Sequence, residues 1–386
     1  MSNEHTEPSS TQSSVVLTRH VPDMTRLLLC VRAGGRCEFD GHNIYLFEHP
    51  LTLQRGNFGE MAHIVAFRNT GPRGDDADRP DDINDVDNLM LLCPTCHKLV
   101  DDHPAEYPRA RLEGYKCEHE DRVRHLTDLG ADRKTSVIVF KARVAGHTVA
   151  VPFDQIVEAT FPRYPVTRSP MTIDLTAIAD GPGFVEASCG TITKRVEALF
   201  SPEGEATQVG HVSVFALGPI PLLICLGRHL TSKVAVDLYQ RHRDNEKWAW
   251  KDTGPAVSYR STMIKEGDPK RVAVVLSLSG TIELEDLPND VRDATTVYEL
   301  TLDNMTPTPT FLRTRQHLEG FRVAYQELLG QIGQAHGALA EIDLFPAVPA
   351  PVAVLCGREL LPKVHPKLRV YDNDKAAGGF TYQLTV

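Results

Sequence analysis

The sequence of 386 residues has no surplus of positive charge: 41 Lys and Arg face 51 Asp and Glu, a formal net charge of −10. That balance excludes a protein that coats nucleic acid by bulk electrostatics, because neutralising phosphates with Lys and Arg supplies most non-specific affinity. Any contact with DNA must be local, metal-assisted or built by assembly. The chain also lacks an uncharged apolar run of the roughly 18 or more residues that a bilayer-spanning helix needs. Its opening residues, MSNEHTEPSSTQSS, have no basic start followed by an apolar stretch. Both absences point to a cytoplasmic protein with no membrane partner. Cysteine is scarce, eight in all, and Cys189, Cys225 and Cys356 stand singly among apolar neighbours. They read as small buried hydrophobes rather than a disulfide framework.

What is present is an ordinary globular composition, 41% hydrophobic and 24% charged, on a chain long enough for two domains. Residues 1–14 are rich in Ser, Thr, Glu and Gln and are expected to be a mobile tail. Residues 15–130 read as a small metal-organised α+β unit. It has a helix over 26–33, short strands near 44–46 and 60–65, a helix opening near Pro94 and another over 110–126. The polar stretch 130–135 marks a boundary. Beyond it, over 135–386, strand-like runs at 137–140, at 146–151 after a turn at Gly146, and at 212–217, 234–239, 272–278 and 352–355 mix with helical stretches at 185–200 and 318–334. That alternation favours an α/β sheet.

An internal repeat runs through this second region. GPIPLLICLGRHLTSKV from Gly218 returns in outline as VPAPVAVLCGRELLPKV from Val348. Pro219 and Pro349, Pro221 and Pro351, Gly227 and Gly357, Arg228 and Arg358, and Lys233 and Lys363 keep one register. Each copy follows a Phe-containing turn (Phe215, Phe345) and leads to a strand ending near a Tyr (Tyr239, Tyr371). The pattern implies two pseudo-symmetric strand, turn, helix, strand units packed together.

Metal-binding residue types crowd into 37–97. Cys93-Pro-Thr-Cys96 is a C-x2-C knuckle that needs two more ligands to complete the tetrahedron a structural Zn²⁺ prefers. Cys37 and His42, spaced C-x4-H with Gly41 between them, are the best suppliers, and Cys30, Cys117 or Asp40 could replace one ligand. His63 in MAHIVAF, Asn88 before the apolar NLMLL and His97 directly after Cys96 remain, and they suit a reaction centre better than extra zinc ligands. In AHIVAF and DNLMLLCPTCHKLVD, over roughly 27–123, the chain resembles the HNH, or ββα-metal, nucleases. The resemblance implies His63 as general base toward water, Asn88 orienting that imidazole, and His97 as ligand to a catalytic divalent ion, Mg²⁺ by default or Mn²⁺. Many members carry a second ligand just before the first His, where this chain has Ala62. Glu60, Asp101 and Asp102 are the candidates for that role, and Asp101 equally suits a structural hydrogen bond.

In the second region the Pro-rich turns at Pro219, Pro221, Phe345 and Pro349 are candidate lips of a pocket. Arg228, Arg358, Lys233 and Lys363 are candidate phosphate ligands or structural residues. Tyr239 ends the strand beside them. Trp248 and Trp250, the only two Trp, alternate in KWAWK, where a strand would put both rings on one face to stack a base or fill a core. LGRHLTSK, VDLYQRHRDNEKWAW and LCGREL resemble the SAVED domain, a fused pair of CARF-like, Rossmann-like halves that senses cyclic oligonucleotides. An HNH unit before a SAVED unit looks like the effector nucleases of bacterial cyclic-oligonucleotide antiphage signalling (CBASS). The likeness implies an enzyme activated by a cyclic di- or trinucleotide, forming a homo-oligomer (dimer or tetramer), that degrades double-stranded DNA. Two other readings compete: a restriction-type HNH nuclease reading modified DNA, and a non-catalytic zinc or DNA-binding module joined to a nucleotide sensor.

Overall fold

The computed structural model describes residues 20–144, 146–178, 181, 183–230, 232–374 and 378–386. The tail expected over 1–14 lies outside them. The chain divides into two units after Gly130.

The first unit is small. Helix α1 (Asp23–Arg32) starts after Pro22 and buries Leu29. Strands β1 (Glu60–His63) and β2 (Leu89–Leu92) form an antiparallel pair that sets Glu60 opposite Leu92 and His63 opposite Leu89. All four residues of β2 are buried. Helix α2 (Pro94–Asp102) follows at once, with Pro94 in its first turn and the Cys93 sulfur accepting the Cys96 amide N–H as a cap. Helix α3 (Arg109–Thr127) closes the unit. Leu29, Leu46, Ile64, Leu91, Val100 and Leu112 share one core with Cys37, Cys93 and Cys96. The strand expected at 44–46 does not form: Gly41 and Asn43 take positive φ, and the chain makes a single bridge, Arg36 to Tyr45.

The second unit contains two α/β halves of the same topology. The first comprises β3 (Lys134–Lys141), α4 (Phe153–Thr160), β4 (Tyr164–Pro165), β5 (Met171–Asp174), α5 (Phe184–Leu199), α6 (Glu205–Val209), β6 (His211–Leu217), α7 (Ile220–His229) and β7 (Ala235–Tyr239). The second comprises β8 (Tyr259–Lys265), β9 (Asp268–Ser277), α8 (Asn289–Ala294), β10 (Thr295–Leu302), α9 (Arg315–His336), β11 (Glu341–Ala347), α10 (Ala350–Arg358), β12 (Lys367–Asp374) and β13 (Gly379–Thr385). One sheet runs β5-β3-β6-β7, with β4 also on β3; the other runs β13-β12-β11-β9-β10-β8. Apart from the antiparallel edges β8 and β13, every pairing is parallel. The order β5-β3-β6-β7 therefore maps onto β10-β9-β11-β12, so the duplication extends well beyond the repeated string.

Glycine explains how the repeat joins the halves. A Cβ at Gly227 on α7 would collide with the Val354 carbonyl oxygen on α10, and one at Gly357 with the Ile224 carbonyl oxygen on α7. The equivalent glycines let the two helices meet backbone to backbone. This also corrects the strand expected at 352–355. Val352, Val354 and Leu355 belong to α10, an apolar helix buried all round, and a short all-apolar run carries no period to separate helix from strand. The run at 146–151 likewise holds no strand, only a bridge between Val144 and His147 before α4. Phe215 and Phe345 are not in turns. They lie in β6 and β11, fully buried, each stacked on its half's Tyr: Phe215 on Tyr239 at 4.5 Å and Phe345 on Tyr371 at 4.4 Å.

Candidate functional site

Cys37, His42, Cys93 and Cys96 converge, with one donor atom of each lying within 4.8 Å of the others. His42 Nδ1 is 3.2 Å from Cys96 Sγ and 3.6 Å from Cys93 Sγ. Those edges suit a tetrahedron with Zn–S of about 2.3 Å and Zn–N of about 2.0 Å. The Cys93 amide N–H points at Cys37 Sγ and that of Cys96 at Cys93 Sγ, both at 3.4 Å, the support a thiolate accepts. Burial foremost, together with the neighbouring sulfurs, pushes the Cys96 thiol well above its ordinary value, and a bound cation would reverse that. The alternatives fall away: Cys117 is exposed and bonded to Asp121, and neither Cys30 nor Asp40 joins the set. The donors and their geometry fit zinc.

His63 and His97 each have their own partners. His63 Nε2 donates to Asn84 Oδ1 at 3.0 Å, and its ring meets Phe67 edge-on. His97 Nδ1 donates to Glu60 Oε2 at 2.8 Å, while Nε2 faces Asp101 Oδ2 at 3.4 Å. Hydrogen bonding to Asp101, then to Glu60, raises the His97 pKa against the opposing effect of burial. Glu60 and Asp101 thus sit on opposite ring nitrogens. An ion on one nitrogen would leave the other carboxylate to orient the ring, the usual arrangement around a metal-bound imidazole. Asp102 points elsewhere, to Lys98.

Asn88 does not hold the His63 ring. Its buried amide accepts from Val65 N and donates to the Val65 and Ile83 carbonyls, so it fastens the backbone just past His63. Asn84 makes the contact expected of Asn88. It lies in the Asp-rich loop between β1 and β2, where Asp82 and Asp85 make local turns with the chain, and no motif in the sequence singled it out. Arg73 and Arg79 were missed for the same reason: they act on distant backbone. Arg79 bonds the Ala66 and Phe67 carbonyls.

In the second unit a cleft of 740 Å³ lies between the halves. Arg315, Leu318, Glu319, Arg322 and Gln326 present one face of α9 to it. Arg358 and Glu359 come from the end of α10, and Val236 to Leu238 with Trp250 from the first half. Arg315 bonds Asp237 at 3.0 Å and the Tyr239 hydroxyl at 3.1 Å, its guanidinium over the Tyr239 ring. Arg322 pairs with Glu319, and Gln326 with Glu359. Arg358 is buried enough to lower its pKa, and its Nε has no hydrogen-bond partner among the described residues. A second hollow of 470 Å³ shares Trp250 and Arg315.

Of the residues expected at a pocket, Arg358 and Trp250 line this cleft, and Tyr239 reaches it only through Arg315. Trp248 is core, edge-on to Phe215; the KWAWK segment forms no strand, which separates the two rings. Pro219 and Pro349 cap α7 and α10, and Pro221 and Phe345 are buried. None of the four borders either cleft, because the Pro-rich turns serve to start helices. Arg228 faces a different cavity, beside Cys225 and Tyr382.

Comparison with known proteins matches residues 192–386 to the family described as the SMODS-associated and fused to various effectors sensor domain, SAVED. Residues 37–104 match the HNH endonuclease family. Similar solved structures include the Acinetobacter baumannii Cap4 SAVED/CARF-domain containing receptor with the cyclic trinucleotide 2'3'3'-cAAA, at 14% identity over 79% of this chain and 64% of that one, TM-score 0.43. The same receptor with 3'3'3'-cAAA gives TM-score 0.42 at the same identity and coverage. The Moraxella osloensis Cap4 receptor gives 12% identity over 75% and 59%, TM-score 0.38. The chain spans under two thirds of the length of these receptors. No curated protein matches it.

Proposed function

The chain belongs to the SAVED sensor family, and we propose that it is a DNA endonuclease whose HNH unit is switched on when a cyclic oligonucleotide occupies the SAVED cleft. The observation that carries this reading is the pairing, in one chain, of an HNH unit whose two histidines each have a partner with a sensor unit whose cleft is large and arginine-lined. A cleft of 740 Å³ has the size of a nucleotide-type ligand. Three arginines suit phosphates, Trp250 offers a stacking face, and Arg358 Nε has a donor to give.

On the nuclease side, Asn84 would fix His63 with the proton on Nε2, leaving the Nδ1 lone pair to take a proton from the attacking water. His97 and Glu60 would hold a divalent ion, Mg²⁺ or another, which when bound supplies positive charge against that developing on the phosphate. Asp101 would keep the His97 ring in place from its other nitrogen. Degradation of double-stranded DNA in antiphage defence of the CBASS type, and assembly into a dimer or tetramer on activation, complete the proposal. An acidic single protomer binds DNA poorly, and assembly would present several sites to one duplex.

The test incubates supercoiled plasmid, Mg²⁺ and the full chain with a panel of synthetic cyclic di- and trinucleotides. Cleavage is expected in the tubes with an activating member alone, and His63→Ala should abolish it with zinc content intact. Equal cleavage with and without cyclic nucleotides would favour the restriction-type reading instead.

A further inference from the structure

Arg73 joins the two ends of the nuclease centre. It sits at φ 55°, in the left-handed region that a non-glycine residue takes at a cost, and its side chain is 6% exposed. From there the guanidinium spreads over four groups. Nε donates to the Ile64 carbonyl at 2.6 Å, Nη1 to the Val100 carbonyl at 2.8 Å and more distantly to that of Tyr107 at 3.4 Å, and Nη2 to Asp101 Oδ1 at 3.1 Å. Ile64 is the residue after His63. Asp101 is the carboxylate whose other oxygen faces His97 Nε2.

We infer that Arg73 is a positioning residue that sets His63 and His97 relative to each other. The inference rests on the nuclease reading of those two histidines. Each imidazole is held locally, His63 by Asn84 and His97 by Glu60 and Asp101; Glu60 and the β1–β2 pairing tie β1 to His97 on one side only, which leaves α2 free to swing about that side. One planar fork bonded at once to the β1 end and to α2 removes that freedom. Lysine cannot substitute, since an ammonium presents no fork and reaches at most part of the set.

The experiment uses the full chain with ¹⁵N-labelled histidine. Imidazole nitrogen resonances of His63 and His97 are recorded for the parent, Arg73→Lys, Asp101→Asn and Glu60→Gln, beside zinc content and steady-state plasmid cleavage. In Arg73→Lys both rings' resonances should move, zinc and the KM for DNA should hold, and kcat should fall about 10- to 100-fold, the scale of a small misplacement of reacting groups. Unmoved resonances with kcat within about twofold of the parent would overturn the inference. If Arg73→Lys does not fold, Asp101→Asn decides beside Glu60→Gln: a shift at His63 that Glu60→Gln does not also produce reports coupling through Arg73, and a shift confined to His97, or one that Glu60→Gln reproduces, refutes it. A parent that cuts no DNA with any activator defeats the nuclease reading, while the resonances still decide whether Arg73 couples the rings.

Discussion

The two units solve the problem of stability by different means. The first has a thin core and depends on a few atoms: three sulfurs and one imidazole nitrogen that converge, and a buried carboxylate, Glu38. That carboxylate takes the Leu91 amide N–H at 2.5 Å and lies 4.0 Å from the Lys116 ammonium. The second depends on close packing between halves of the same topology, down to backbone contact of α7 and α10 at Gly227 and Gly357. A unit held by a few donors fails when one donor is lost, whereas a packed unit fails when a volume changes. The two should therefore unfold separately and respond to different perturbations.

The largest effect should come from the metal set. Cys93→Ser, or chelation of the zinc, should remove stabilisation on the order of 10 kcal/mol from the first unit and leave the second folded. Calorimetry should then show one transition lost and one kept, with zinc followed by elemental analysis. A single transition that shifts as a whole would show that the units do not stand apart. The converse is Gly227→Val. It drives a branched side chain into the Val354 carbonyl and should cost the second unit about 3–5 kcal/mol, with zinc content unchanged. Next in size is Glu38→Ala, which strands the Leu91 N–H and leaves Lys116 with Glu120 as its remaining carboxylate. A loss of about 3 kcal/mol in the first transition is expected in denaturant unfolding, and Glu38→Gln should recover part of it by keeping an acceptor for Leu91.

The same contrast governs what could be read from the chain alone. The zinc set was legible because its spacings, C-x4-H and C-x2-C, are local and metal geometry is strict. The duplication was legible because Pro, Gly, Arg and Lys recur in one register, and those glycines turn out to be the contact itself. Asn84, Arg73 and Arg315 were not legible. Each acts on a residue 9 to 78 positions away, as with His63 for Asn84, Ile64 and Asp101 for Arg73, and Asp237 for Arg315, and no local pattern marks such a pair. Val352 to Leu355 misled because burial on every side erases the period that tells helix from strand. The Trp pair was half legible: core and stacking were both open for it, and because 247–251 form no strand the two rings part, Trp248 into the core and Trp250 into the cleft lining.

The smallest expected effect is a pH dependence confined to the second unit. His211 in β6 is buried. Its Nδ1 is 2.8 Å from Thr135 Oγ1, and Nε2 is 3.6 Å from Asp237, which Arg315 also engages. Burial pushes the imidazole down to about 4, outweighing the raising effect of Asp237, with Arg163 and Arg315 adding to the fall. The unfolded imidazole titrates near 6.5. Between these values the unfolded chain binds a proton that the folded one does not, so stability is full above about pH 6.5 and declines as pH falls toward 4. The loss should be about 2 kcal/mol by about pH 5. Buried carboxylates contribute their own slopes in acid, so the informative quantity is a difference. Denaturant unfolding of the parent and of His211→Gln, which cannot titrate, should diverge in the second transition below pH 6.5 and leave the first transition's pH profile alike in both proteins. Parallel curves for the second transition would mean that His211 takes up its proton without cost, and that its ring, between Thr135 and the cleft-lining Asp237, is open to water.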